Sequence, residues 1–221
     1  MQGKLIVLEG IDGSGKSTQF KLLTDRLEKE GVSFRKVVFP RYGDSSSALL
    51  KSYLAGEFGK NPGDVSAYAA STFFFVDRYA SFKTDWGEFY NSGGVIICDR
   101  YTTSNAIHQG AKIPREQLGD FLDWLYDFEF RLMELPRPDL VLYLDIDLDT
   151  SLSQMRSRQE KTNTAGDIHE TNADYLAACL AAGNEAADRL EWVRISCLRD
   201  GVMRPVSEIG EDIYKAVKGV L

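Results

Sequence analysis

Histidine and cysteine are scarce in this chain, whose 221 residues contain two of the first and three of the second. Cys98, Cys179 and Cys197 are far apart with no paired spacing. That argues against a zinc site or a disulfide framework, and buried free thiols in a reducing compartment are expected instead. His108 and His169 alone cannot build a histidine-rich metal centre. Long apolar runs are missing too, and none approaches the roughly 20 residues that cross a bilayer. Positive charge is in deficit, with 26 Lys and Arg against 33 Asp and Glu and a net charge of −7. No broad basic face is therefore left for a nucleic-acid polymer or an anionic membrane, and the few clustered basic residues must have local tasks. Residues 1–10 pass directly into an apolar strand pattern, so no leader is expected and the expected location is cytoplasmic. The length suits one well-cored domain over 1–221.

What is present begins with a glycine-rich stretch. Gly10, Ile11, Asp12, Gly13, Ser14, Gly15, Lys16, Ser17 and Thr18 fill the pattern Gly-x4-Gly-Lys-Ser/Thr directly after the apolar run Leu5-Ile6-Val7-Leu8. Glycines allow a turn tight enough to aim several backbone N–H groups at an anion. The lysine reaches the β- and γ-phosphates of a nucleotide, and the hydroxyl after it can take a place on Mg²⁺. The next segment carries Phe20, Leu23 and Leu27 on one face and reads as a helix whose N-terminus points at those phosphates. Asp12 inside such a loop is unfavourable unless a metal or an arginine neutralises it. It is either functional or a stabiliser of the loop.

Strand signals over 4–9, 34–39, 95–98, 140–145 and 192–197 alternate with helix signals over 16–29, 48–54, 65–90, 118–133, 149–158, 174–190 and 206–220. This alternation predicts an α/β fold with a five-stranded parallel sheet, helices on both faces and right-handed crossovers. Residues 65–90 read as one long or kinked helix, aromatic almost all round near Phe73-Phe74-Phe75, which suits burial on more than one side. Residues 159–166 hold no large apolar side chain and are expected to be mobile. Arg41 and Arg100 fall at the carboxyl ends of the second and third strands, the edge where open parallel sheets bind ligands. An isolated arginine there would be read as a surface ion pair, but two beside a phosphate loop favour an anionic ligand.

Further segments narrow the reading. Phe39-Pro40-Arg41-Tyr42-Gly43 is followed by Asp99-Arg100-Tyr101 with Ser104-Asn105. Then come Arg156 and Arg158 before Asp167-Ile168-His169-Glu170, and Asp200-Gly201-x-x-Arg204-Pro205 closes the chain. In this order they resemble the thymidylate (dTMP) kinase family over nearly all of the sequence. The Asn-Lys-x-Asp of guanine-specific switches is missing. The resemblance implies a P-loop kinase fold with a mobile lid over about 155–170. It also implies transfer of the γ-phosphoryl of Mg·ATP to dTMP, giving dTDP and ADP, with residues 10–18 holding ATP.

The resemblance further implies that Arg41 and Arg100 hold the acceptor phosphate, with Asp12 near it. Phe74 would stack on the base, Arg78 would donate to a thymine carbonyl, and Ser104 and Asn105 would hydrogen-bond the base. His108 would lie near the sugar, where the family more often has an aromatic residue. Arg156 and Arg158 would reach across the transferred group with Lys161 assisting, while Asp167 and Glu170 position the lid. Lys16, Asp12, Arg41, Arg100, Arg156 and Arg158 form the expected catalytic set, and Ser17 and Asp99 are the expected metal ligands. Several plain alternatives stay open: core packing for Phe74, a partly exposed loop for His108, a solvated face for Arg156 and Arg158, and an ion pair with Arg78 or Arg100 for Asp99. Surplus aromatic surface on the 65–82 helix, with the resemblance, suggests a homodimer. A kinase of another nucleotide, or a nucleotide-binding protein without turnover, are the competing functions.

Overall fold

Leu5, Ile6, Val7 and Leu8 are fully buried at the centre of β1 (Lys4–Glu9). A strand covered on both faces loses its polar alternation, and each such side chain contributes about 1.5–3 kcal/mol on burial. In this computed structural model, which describes residues 3–162 and 173–221, β1 is the middle strand of a five-stranded sheet. Its neighbours are β3 (Val95–Asp99) and β4 (Leu140–Asp145), with β2 (Phe34–Val38) beyond β3 and β5 (Val193–Ser196) beyond β4. Every pairing in this sheet is parallel. Leu8 lies opposite Asp99, so the carboxyl ends of β1 and β3 finish side by side and release their loops into one crevice.

Helix α1 (Lys16–Lys29) buries Phe20, Leu23 and Leu27. It ends where Gly31 adopts φ 71° and the N–H groups of Gly31 and Val32 return to the carbonyls of Glu28 and Leu27, a left-handed stop that glycine permits. α1 packs on α9 (Val206–Lys218), whose Ile209, Ile213 and Val217 recur every fourth residue and are buried. The expected helices at 48–54 and 174–190 appear as α2 (Ala48–Leu54) and α8 (Ala173–Arg189).

The 65–90 stretch is the kinked alternative. α3 (Ala67–Ser81) starts at Ser66, whose Oγ accepts the Ala69 N–H, and passes through a π-helical turn at Phe82–Trp86 into α4 (Gly87–Asn91). The wider turn leaves Trp86 buried against Tyr90 and Tyr101, with its ring N–H donating to Ser81 Oγ at 2.9 Å. The 118–133 stretch likewise divides into α6 (Leu118–Tyr126) and a π-helical turn at Asp127–Leu132.

Other differences from the sequence reading matter for the site. Helix α5 (Thr102–His108) follows β3 directly. Its opening run Thr102-Thr103-Ser104-Asn105 has weak helix propensity and is held by tertiary hydrogen bonds. His108 is therefore a buried helical residue, not an exposed loop histidine. Helix α7 (Leu148–Thr162) runs past the expected end at 158, so Gln159 to Thr162 is helical. Asp167, His169 and Glu170 lie outside the described residues, as do the side chains of Arg158 and Lys161. A short hairpin of β6 (Leu198–Arg199) and β7 (Val202–Met203) turns at Asp200 and Gly201, both at positive φ.

Candidate active site

The loop between β1 and α1 takes its shape from three glycines, with φ of 154° at Gly10, 77° at Gly13 and 87° at Gly15. A Cβ on Gly13 would stand 2.4 Å from the Ser151 carbonyl oxygen, so the first turn of α7 closes against the loop. Ser151 Oγ completes that contact by donating to the Asp12 carbonyl at 2.6 Å. Lys16 Nζ curls back and donates to the carbonyls of Gly10 at 2.7 Å and Ile11 at 2.9 Å. Burial, reinforced by the Arg100 guanidinium, lowers the Lys16 pKa to about 8, although Asp12, Glu9 and Asp99 partly oppose this. Ser17 and Thr18 stand exposed at the mouth.

Arg100 leaves β3 with φ 66°, a left-handed conformation that costs a non-glycine residue about 1 kcal/mol or more. Its N–H donates to the Leu8 carbonyl at 3.1 Å and its own carbonyl accepts from Cys98 Sγ at 2.8 Å. The side chain is thereby turned onto the phosphate loop, where Nη2 donates to Asp12 Oδ1 and Nη1 lies 3.1 Å from His108 Nε2. An arginine only donates, so His108 Nε2 accepts and its ring is neutral with the proton on Nδ1. Burial alone would raise the Asp12 pKa, but Arg100 and Lys16 hold its carboxyl well below the usual range. Behind this pair, the fully buried Glu9 accepts from the Gly10 N–H at 2.9 Å, Thr103 Oγ1 at 2.7 Å and Ser104 Oγ at 2.8 Å. One carboxylate thus ties the phosphate loop to α5.

A pocket opens beside this cluster. Asp12 and Arg100 line it together with Phe74, Arg78, Ser104, Asn105 and His108, the residues that the resemblance assigns to the acceptor. Tyr42, Leu54 and Gln109 line it as well, and none of them was singled out from sequence. Gln109 is fully buried with neither Oε1 nor Nε2 hydrogen-bonded. A buried amide at a pocket wall with both polar atoms uncommitted can hydrogen-bond a polar ligand there. The Phe74 ring stands edge-on to Tyr53 while contributing to the wall, so it packs and lines at once.

Two predicted roles are altered. Arg41 does not line the pocket: its guanidinium is held by Asp44 at 2.8 Å, Asp85 at 2.9 Å and Ser81 Oγ at 3.0 Å. Competing carboxylates on a partly exposed arginine draw it away from the ligand side. The backbone of that loop is fixed by the buried Asp77, which accepts the Arg41 N–H at 2.8 Å and the Ser46 hydroxyl at 2.9 Å. Ser104 commits its single proton to Glu9, so toward a base it can only accept. The ion-pair alternative for Asp99 is not formed: Arg78 pairs with Glu129 and Arg100 with Asp12 and Glu9, and the Asp99 charge acts on Arg100 only from a distance. Asp99 Oδ1 is instead buried with no hydrogen-bond partner, which fits a carboxylate awaiting a cation. Arg156 is exposed on α7.

The sequence pattern of the family described as thymidylate kinase matches residues 8–197. Thymidylate kinase of Mycobacterium tuberculosis (strain ATCC 25618 / H37Rv) is 33% identical over 172 residues, 77% of this chain and 79% of that protein. A probable thymidylate kinase of Pyrococcus abyssi (strain GE5 / Orsay) is 32% identical over 221 residues, 99% of this chain and 97% of that one. Among solved structures, thymidylate kinase from Candida albicans superposes with a TM-score of 0.68 at 22% identity, covering 99% and 92% of the two chains. That likeness supports the fold alone.

Proposed function

Because the chain belongs to the thymidylate kinase family, we infer that it is a phosphotransferase moving the γ-phosphoryl of ATP onto dTMP to give dTDP and ADP. The observation that carries this reading is a shared wall. Asp12 belongs to the phosphate loop and also lines the neighbouring pocket with Arg100, so a donor triphosphate and an acceptor monophosphate would meet at the same side chains. Phosphoryl transfer needs little beyond alignment and positive charge around the moving group. Lys16 supplies charge from the donor side and Arg100 from the acceptor side, with Asp12 compensating Arg100 until substrate arrives. Arg156 and Arg158 would act from a lid over both nucleotides. Arg41 keeps Nη2 clear of Asp44 and Asp85, which take Nε and Nη1, but its side chain would have to turn toward the pocket to join the acceptor phosphate.

The base would lie against Phe74. Arg78 Nη1 takes no part in its pairing with Glu129 and is available to a thymine carbonyl. Asn105 spends its Nδ2 on the Ser71 carbonyl at 3.2 Å and on Glu129 at 3.4 Å, so its Oδ1 is left to accept the ring N3–H. Gln109 supplies a further polar contact. Mg²⁺ fits the orphaned Asp99 oxygen and the exposed Ser17 hydroxyl, with phosphate oxygens completing its shell. There it would neutralise phosphate charge and hold the triphosphate in line.

A single catalytic domain in the cytoplasm suits these substrates and the chain's three buried free thiols. The exposed Tyr68, Val76 and Tyr79 on α3 support a homodimer, for which sedimentation should give twice the chain mass. Sedimentation at the mass of one chain under assay conditions would remove that element.

The reaction is tested by ADP release with Mg·ATP and a panel of dTMP, dUMP, dCMP, AMP and GMP. Turnover should be fastest with dTMP. Preference for a different monophosphate would reject the base reading, and ATP binding without turnover would reject the kinase.

A further inference from the structure

Glu129 is fully buried on the π-helical turn after α6, away from the phosphate loop and outside the pocket lining. It nevertheless touches both side chains assigned to the base edge. Arg78 donates to it through Nε at 2.9 Å and through Nη2, Asn105 through Nδ2 at 3.4 Å, and Thr102 Oγ1 at 2.6 Å. Arg78 comes from α3 and Asn105 from α5, so one carboxylate joins two helices behind the base site.

We infer that Glu129 is a positioning residue that sets the donor–acceptor polarity of the base pocket. The inference rests on the base reading given above. A carboxylate is acceptor-only, so it draws N–H groups toward itself and turns what remains outward. With the Ser71 carbonyl it pulls the Asn105 amide nitrogen inward, and Oδ1 faces away. From Arg78 it takes one edge of the guanidinium and leaves Nη1 on the other side. The exposed pattern is a donor beside an acceptor. Thymine presents a carbonyl O4 beside N3–H, which complements that pattern. Cytosine presents an amine beside an unprotonated N3, so donor meets donor and acceptor meets acceptor. Pairing with Glu129 also compensates the Arg78 charge, and a neutral base is then not set against a bare buried cation.

Glu129→Gln keeps the side-chain volume but introduces a donor, which lets the Asn105 amide reverse and loosens Arg78. The dTMP-over-dCMP ratio of kcat/KM should fall roughly tenfold, the worth of a hydrogen bond to a charged group. The change should come from a higher KM for dTMP, with the KM for ATP unchanged. A purely structural role would lower the melting temperature and leave that ratio alone, and an unchanged ratio overturns the inference. Asn105→Leu and Arg78→Gln separate the two layers. If they lower the ratio while Glu129→Gln does not, the polarity role fails and the base reading stands. If they too leave it unchanged, the base reading fails and takes the inference with it. Should Glu129→Gln not fold, a crystal structure of the wild-type dTMP complex decides. Glu129 still bonded to Arg78 and Asn105, with the base on their far side, supports the role. Glu129 parted from either overturns it.

Discussion

Lys16→Ala loses about a thousandfold in kcat, the scale expected when a preorganised cation is removed from a reacting group. The ammonium is already curled over the loop, bonded to the Gly10 and Ile11 carbonyls with its third N–H uncommitted. Its pKa near 8 adds a signature that simple loss of a contact would not show. Triphosphate favours the charged form, so ATP binding between about pH 8 and 9 should take up protons, readable by calorimetry in buffers of different ionisation heat. The uptake should vanish in the variant. The stability effect has a definite sign: the folded pKa is lowered from 10.5 to about 8, so the cost of burying the charge is fully present below about pH 8 and fades as pH rises toward 10.5. Wild type should therefore gain stability relative to Lys16→Ala across that window. A Lys16→Ala enzyme with wild-type turnover would falsify the assignment of the donor site.

Arg100→Ala raises the KM for dTMP by more than the lost contact alone. The variant leaves Asp12 without its hydrogen-bonded partner, with only Lys16 to offset its charge, and breaking a buried pair from one side costs about 3–5 kcal/mol in general. Here the pair is partly open, with side-chain exposures of 21% and 12%, so the effect should be nearer a hundredfold than the roughly five-thousandfold that about 5 kcal/mol would give. Adding Asp12→Asn to Arg100→Ala removes the stranded negative charge and should recover part of the dTMP affinity. The cycle of single and double variants measures that coupling. Strictly additive effects would mean that Asp12 and Arg100 act on separate steps.

How much was legible in advance depends on where the determinants of each residue lie. β1, α1, α2 and β4 fall on their expected spans because local pattern and core demand agree there: apolar runs for the buried strands, a recurring face for α1, a glycine at its end. The phosphate loop is legible because backbone conformation restricts its glycines. Helix α5 is not, since Thr102, Thr103 and Ser104 are poor helix formers and their support comes from Glu9 and Glu129, distant in sequence. Arg41 illustrates the opposite failure. Its position at a strand end is right, but its direction is settled by Asp85, brought close by the π-helical turn. Gln109 follows the predicted His108 immediately, and only burial reveals that its amide has no partner. Glu129 did leave a trace. Leu118, Leu122, Leu125 and Glu129 follow at intervals of three or four, placing a carboxylate on an otherwise apolar stripe, and a charge there needs an internal partner.

The left-handed backbone at Arg100 is tied to its own side chain. Glycine would adopt φ 66° without strain, which relieves roughly 1 kcal/mol. It would also take the guanidinium from Asp12, and losing one member of such a pair costs more than that, even after discounting for partial exposure. Thermal resistance and turnover therefore both favour arginine at position 100, and the ion pair is what holds the strained backbone in place.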